Sequence, residues 1–374
     1  MTKKALFALL LVAVMALSGC SLVLRDSAVD AQQAIIDVNG EQITKQDFVN
    51  AYNYNLYSEQ YYAQMMAQFG LSDGSVDQNA VLQTTVDSYV NSLVLSQKAK
   101  ELGFDQFTEE EKFDLDAEAQ SQYDAQLETI QSSAFADSEL SGEALTEAVE
   151  TYAQSQGYTL EYFRNLVENT KISERLQASV TDLVSITDAD LQAALDEKIA
   201  AEKASYESSL AAYGAAANRG TATYYTPAGY RAIRTIEVAK PAADAEGNVD
   251  ATQAQADAAV LAERLAAGEA IDALGVDVTD RVVCESSTDV DSALVAAAMA
   301  LTEKGSYTEV TETASSFAIA QYVDDVAEHT ATLEEARDSI YDETLQNAQS
   351  AAYTAAVSEW VSAAKVKINL DRLN

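Results

Sequence analysis

Apolar positions recur at intervals of three and four residues through most of the chain, the signature of amphipathic helices. The exceptions mark where its character changes. Ala34 to Val38 is a short apolar strand, and Asn39-Gly40 after it is a turn dipeptide that tolerates positive φ. Thr44 offers an N-cap with Asp47 three residues on, which predicts a helix through Phe48, Tyr52 and Leu56 to about Phe69. Gly70 to Gly74 breaks it. A second helix is predicted from about Asn79 to Leu102, ended by Gly103. Thr108 and Glu111 form a capping box for a third, to about Gln131. Helical spacing resumes from Ser141 to Ser155 and from Thr159 to Val184. Thr187 and Asp190 then cap an Ala- and Glu-rich helix predicted to reach Ala217.

The texture changes at Asn218-Arg219-Gly220. Tyr230 to Val238 alternates and carries β-branched residues, which predicts a strand. A helix from Ala251 to Ala267 follows, then a short helix at Ala270 to Leu274 and a strand near Arg281 to Glu285. A helix from Asp291 to Thr302 and a strand from Ser316 to Val323 complete an α+β unit. Thr332 and Glu335 cap a long closing helix, and Val366 to Leu370 alternates again. A lone strand cannot satisfy its own backbone, so Ala34–Val38 and Val366–Leu370 are expected to pair with each other. The expected fold class is therefore mainly α with an α+β insert.

Composition narrows the function. The chain has 374 residues, 60 acidic against 23 basic, and a formal net charge of −37. Such a chain lacks the basic face that nucleic acid requires, so no nucleic-acid partner is expected. A single histidine, His329, and two cysteines remove His-pair and four-Cys metal sites, and no metal or cofactor is expected. Asp244 to Asp250 resembles a calcium loop only superficially, because its glycine is misplaced and Gln255 stands where a closing Glu belongs. No P-loop, G-x-S-x-G, H-E-x-x-H or dinucleotide-binding fingerprint is present.

The first residues read as an address. Lys3 and Lys4 precede the apolar run Ala5 to Leu17, which is short for a membrane span and right for a signal-peptide core. Leu17-Ser18-Gly19-Cys20 resembles the lipobox of bacterial lipoproteins. It implies cleavage ahead of Cys20, lipidation of that thiol and a polar tether from 20 to 33. The resulting expectation is a cell-membrane lipoprotein held on the extracytoplasmic face. Cys284, in Arg281-Val-Val-Cys-Glu, is expected to be a buried, inert thiol.

Several phrases, in order, resemble the SurA/PrsA-type extracytoplasmic foldases. They are Val38-Asn-Gly-Glu-Gln-Ile-Thr44 before the first long helix, the run Thr85 to Gly103, Gly157-Tyr-Thr-Leu-Glu-Tyr-Phe-Arg164, and Ile186-Thr-Asp-Ala-Asp190. The segment from Tyr230 to Asp324 resembles the family's parvulin prolyl-isomerase domain in element order, with Gly268 to Leu274 and Leu301-Thr-Glu-Lys-Gly305 matching its phrasing. The resemblance implies a signal peptide at 1–19, a tether at 20–33 and a helical chaperone domain at 34–223. It further implies a parvulin-like domain at 224–328, and a helix and strand at 329–374 that return to the helical domain.

Departures from the family's pattern decide the expected activity. Parvulins carry a histidine in their first strand, in a pattern like V-R-A-x-H-I-L; here Arg234 stands at that position. Their last strand has a G-Y-H-I-I pattern; here Ala318 falls at its histidine. The glycine-rich G-G-x-L-G segment is missing between Leu274 and Asp291. Arg234 and Ala318 are thus degenerate active-site positions, no catalytic residue is assigned, and isomerase activity is expected to be weak or lost. His329 falls after the last strand and is expected to be exposed. The implied function is a lipid-anchored folding factor that binds unfolded secreted polypeptides without ATP. An active parvulin-type isomerase and a non-chaperone surface lipoprotein are the alternatives.

Tyr54, Tyr57 and Tyr61 recur at helical spacing, with Met65, Met66 and Phe69 beyond. Two readings stand for this stripe: a helical core face, or a cradle in which Tyr54, Tyr57, Tyr61 and Met65 offer adaptable contact to unfolded segments. The large negative charge would limit self-association and favour basic clients.

Overall fold

The computed structural model describes residues 27–243 and 249–373. The signal segment, Cys20 with its lipobox, the first part of the tether and residues 244–248 of the loop up to Asp250 lie outside the described residues. The fold is predominantly helical with a smaller strand-containing region, and it divides into two compact units. Unit 1 is Met1–Val184 with Gln349–Asn374, and unit 2 is Ser185–Ala348.

The first unit's leading elements are α1 (Ser27–Ala31), β1 (Ala34–Val38), β2 (Glu41–Thr44), α2 (Lys45–Gln68), α3 (Gln78–Glu101), α4 (Glu109–Ala134), α5 (Glu143–Ser155) and α6 (Leu160–Thr181). Unit 2 holds α7 (Asp188–Ser208), α8 (Ala212–Asn218), β3 (Tyr225–Thr226), β4 (Tyr230–Ala239), α9 (Thr252–Ala266), a 3-10 turn (Ile271–Ala273) and β5 (Thr279–Val283). It continues through α10 (Ser292–Met299), β6 (Thr311–Glu312), β7 (Ser316–Val326) and β8 (His329–Thr330). Helix α11 (Leu333–Ala363) begins in unit 2 and ends in unit 1, where β9 (Val366–Ile368) and a last 3-10 turn (Leu370–Leu373) follow.

In unit 1 the two terminal strands pair as the sequence predicts. The sheet order is β2-β1-β9, antiparallel, with Ile36 opposite Ile368 and Val38 opposite Val366. The hairpin strand β2 was not anticipated. Asn39 sits at φ +54° and Gly40 at φ +95°, the left-handed pair that a two-residue hairpin turn needs. Asn39 also locks the return strand. Its Oδ1 accepts from the Lys365 N–H at 2.9 Å, and its own N–H donates to the Lys365 carbonyl at 3.0 Å. Ile35, Ile36, Val38 and Phe48 are fully buried and join Val86, Val90 and Val94 of α3 in one core, with Trp360 and Val366 packed against it. The capping boxes at Thr108/Glu111 and Thr187/Asp190 are both formed. Leu115 and Ala119 of α4 meet Phe163 and Val167 of α6 in a second core.

Unit 2 is built on a four-stranded antiparallel sheet of order β5-β4-β7-β6. One face sets Ile233, Val283, Ala318 and Ala320 against Leu294, Val295 and Ala298 of α10. The other sets Ile236 and Ile319 against Leu261 and Leu265 of α9 and Ile271. The Arg231 guanidinium donates to the carbonyls of Ala298, Met299 and Leu301, closing the C-terminus of α10. Helix α7 ends earlier than its pattern suggests. Its C-cap Ser209 is extended, at φ −145° and ψ 99°, and α8 is a separate short helix. The two units divide at 184/185 and 348/349. Within unit 2, Leu191 and Leu195 of α7 pack on Ala336 and Ile340 of α11.

Candidate functional site

Helix α2 begins because the Thr44 hydroxyl accepts from the Asp47 N–H, and its first turns face the core through Phe48. Farther along, Asn55 Nδ2 reaches across to Thr85 Oγ1 on α3 at 3.0 Å. The opposite side is left outside. Tyr54 is 72% exposed, Tyr57 69%, Tyr61 64% and Met65 37%. Steps of three, four and four residues keep these side chains on one strip, roughly 17 Å long at ~1.5 Å per residue. Tyr62, Phe69 and Leu71 flank it and are exposed as well. The stripe is therefore surface, not core. Tyr62 and Leu71 were not singled out from sequence, since neither continues the period that marks the other four.

A shallow concavity in unit 1 lies between the C-terminal end of α4 and α5. Phe135, Ala144, Ala148 and Tyr152 line it, and the Phe135 and Tyr152 rings meet edge to face at 5.9 Å.

In unit 2 the positions expected to carry the isomerase histidines are not brought together. Arg234 lies on β4 opposite Gln321, and Ala318 lies on β7 opposite Glu237. Arg234 and Glu237 are three residues apart on one strand, so Arg234 and Ala318 point to opposite faces of the sheet. Ala318 is fully buried in the core against α10. Arg234 is held on the other face, where its guanidinium donates to both carboxylate oxygens of Asp272, at 2.8 and 2.6 Å, and to Asp280 at 3.2 Å. The Asp272 hydrogen bonds hold the Arg234 pKa above its ordinary value, and the same pairing lowers that of Asp272. The guanidinium is thereby held by two carboxylates.

His329 is exposed on β8, which pairs with β3, and sits 3.2 Å from Glu335 at the start of α11. Cys284 is buried, with its Sγ 3.3 Å from the Leu210 carbonyl. Among the described residues, no group of three or more His, Cys, Asp or Glu side chains is arranged to hold a metal, and no helix is long and apolar enough to cross a membrane.

Known proteins show similarity to the N-terminal part of the chain. A profile described as the SurA-like N-terminal domain matches residues 2–126. The foldase protein PrsA of two Clostridium perfringens strains is 28% identical over 184 residues, covering 48% of this chain and 46% of theirs. The match thus spans about half the length of those relatives. Among solved structures, a SurA-like chaperone of Campylobacter jejuni aligns over 90% of this chain and 98% of its own at 10% identity, with a TM-score of 0.33. PrsA of Bacillus subtilis aligns over 91% and 95% at 14% identity, with a TM-score of 0.21. The class defined by the N-terminal match is that of chains built on a SurA-like N-terminal domain. Beyond that domain, the chain is similar over about half its length to the foldase protein PrsA.

Proposed function

We propose that this chain is an extracytoplasmic folding factor that binds unfolded secreted polypeptides through its helical domain (34–223 with 329–374) and releases them without ATP. The observation that carries this reading is the exposed strip Tyr54, Tyr57, Tyr61 and Met65 on α2. Tyrosine rings give large, rigid contact at low entropic cost, and methionine adapts its shape to the partner. Each contact is weak, so an unfolded segment is held by several at once and leaves without an energy source. An exposed strip of this kind is costly to keep in water unless it has a partner.

The parvulin-like domain (224–328) serves this function without efficient catalysis. Prolyl isomerisation has a barrier of about 18–20 kcal/mol, which an enzyme lowers by placing polar groups around the twisting amide. Arg234 is occupied by two carboxylates and Ala318 offers only a methyl group inside the core, which supports weak or absent activity. Lipidation at Cys20 anchors the protein to the outer face of the membrane.

Aggregation of a reduced model substrate tests the reading. The full chain is expected to suppress it, and the triple variant Tyr54→Ser, Tyr57→Ser, Tyr61→Ser is expected to lose most of that effect. A proline-peptide assay run alongside is expected to show little turnover. Robust turnover would favour an active isomerase, and no effect in either assay a surface lipoprotein of another kind. Cys20→Ser is expected to move the protein from the membrane fraction to the medium.

A further inference from the structure

The strip on α2 belongs to a stretch of unusual charge. From residue 46 to residue 97 there is no lysine and no arginine, while Asp47, Glu59, Asp73, Asp77 and Asp87 are all present. Asp47 is exposed and lies seven residues before Tyr54, on the same side of α2. Glu59 is exposed within the same helix. The nearest basic residues on either side are already engaged. Lys45 pairs with Asp30 at 2.8 Å, and Lys98 pairs with Glu101 and sits over the Trp360 ring.

Elsewhere the molecule shows what tyrosine rings beside carboxylates do. Arg231 lies 3.8 Å from the centre of the Tyr322 ring and is paired with Asp325. Lys198 lies over Tyr224 and is paired with Glu343. In both places ring and carboxylate share one cation. The α2 strip has its rings, with the Asp47 carboxylate two turns before them on the same side, and its own sequence supplies no cation.

Resting on the client-binding reading above, we infer that the strip selects one kind of segment: a short apolar or aromatic stretch flanked by lysine or arginine. The apolar part lies along Tyr54 to Met65. A strip of ~17 Å accommodates about five extended residues at ~3.3 Å each. The basic flank reaches Asp47 or a ring face by cation–π contact. Acidic segments of equal hydrophobicity are rejected by the negative field around the strip.

Three fluorescein-labelled peptides test this with the full chain. They share one five-residue aromatic and aliphatic centre and are flanked on each side by two lysines, two serines or two glutamates. Anisotropy titration is expected to rank them lysine, serine, glutamate, with roughly fivefold or more between lysine and serine. The gap is expected to close at about 0.5 M salt, where the screening length falls to a few ångströms. Asp47→Asn with Glu59→Gln is expected to shrink the gap at low salt, and an unchanged gap would overturn the charge selection. Equal affinity for all three peptides would overturn the charge selection and leave the client-binding reading standing. Absence of binding, or binding untouched by the Tyr57→Ser, Tyr61→Ser double variant, would overturn the client-binding reading itself.

Discussion

Two groups of tyrosines face opposite demands in this molecule. On α2 of unit 1, Tyr54, Tyr57 and Tyr61 stand in solvent. In unit 2, Tyr206, Tyr213 and Tyr230 are buried together with Cys284. The buried rings meet edge to face, Tyr206 with Tyr213 at 5.6 Å and Tyr213 with Tyr230 at 4.8 Å. The Tyr230 hydroxyl donates to the Leu210 carbonyl, the same acceptor that Cys284 uses. Gly214 of α8 lets this cluster close. A Cβ there would come within 2.9 Å of the Val282 carbonyl and 3.3 Å of the Tyr230 ring. The same side chain is thus spent on internal packing in one unit and kept available for contact in the other. What separates the two is the neighbours that arrive from elsewhere in the chain, not any property of the residue.

The contrast can be broken most directly by truncation. Tyr213→Ala is expected to destabilise unit 2 by about 3–5 kcal/mol through cavity formation, read as a lower urea midpoint. Tyr57→Ala should leave that midpoint within about 0.5 kcal/mol while weakening client binding. A large stability loss from Tyr57→Ala would show that the strip packs internally after all. Next in size is Gly214→Ala, expected to cost about 1–3 kcal/mol because the new methyl meets backbone rather than a movable side chain.

Alkaline titration sharpens the comparison further. Burial pushes Tyr206 up to about 12, and burial raises Tyr230 as well. A tyrosine whose folded pKa lies above its unfolded value near 10 gives stability that is complete below pH 10. That stability is lost as pH rises toward 12, because the unfolded chain releases the proton first. Unit 2 is therefore expected to lose stability across that interval, and Tyr206→Phe should flatten the loss. The smallest expected effect is a null one. Restoring histidines at both degenerate positions, Arg234→His with Ala318→His, should leave proline-peptide turnover unchanged, since the two side chains point to opposite faces of the sheet. Recovery of activity would mean that the faces are wrongly assigned.

Much of the architecture is legible in the sequence because caps and turns are local. Thr44, Thr108, Thr187 and Thr332 each open a helix where their spacing to an acidic residue predicts it. The pairing of the terminal strands is legible for a different reason, as each would otherwise lack a partner. Strand β2 escaped because Glu41 to Thr44 carries a single large apolar residue, Ile43. The break after Ser208 escaped because no glycine or proline marks it. The candidate site was half legible. Periodicity grouped Tyr54, Tyr57, Tyr61 and Met65, but amphipathic spacing describes a buried face and an exposed one equally well. The orientation of Arg234 against Ala318 depends on how β4 and β7 are aligned, and that alignment is fixed by packing across the sheet.

The β1–β9 pairing also sets an order of assembly. Asn39 and Lys365, joined by hydrogen bonds, are 326 residues apart. A chain that emerges from its N-terminus exposes β1 and β2 before unit 2, and β1 keeps one open edge until β9 has appeared. Unit 2 is one continuous segment and can complete its sheet while unit 1 is still waiting. Unit 1 is therefore completed only when β9 has paired with β1. Pulsed proteolysis during synthesis would read this directly, with protection of unit 2 preceding protection of the N-terminal hairpin.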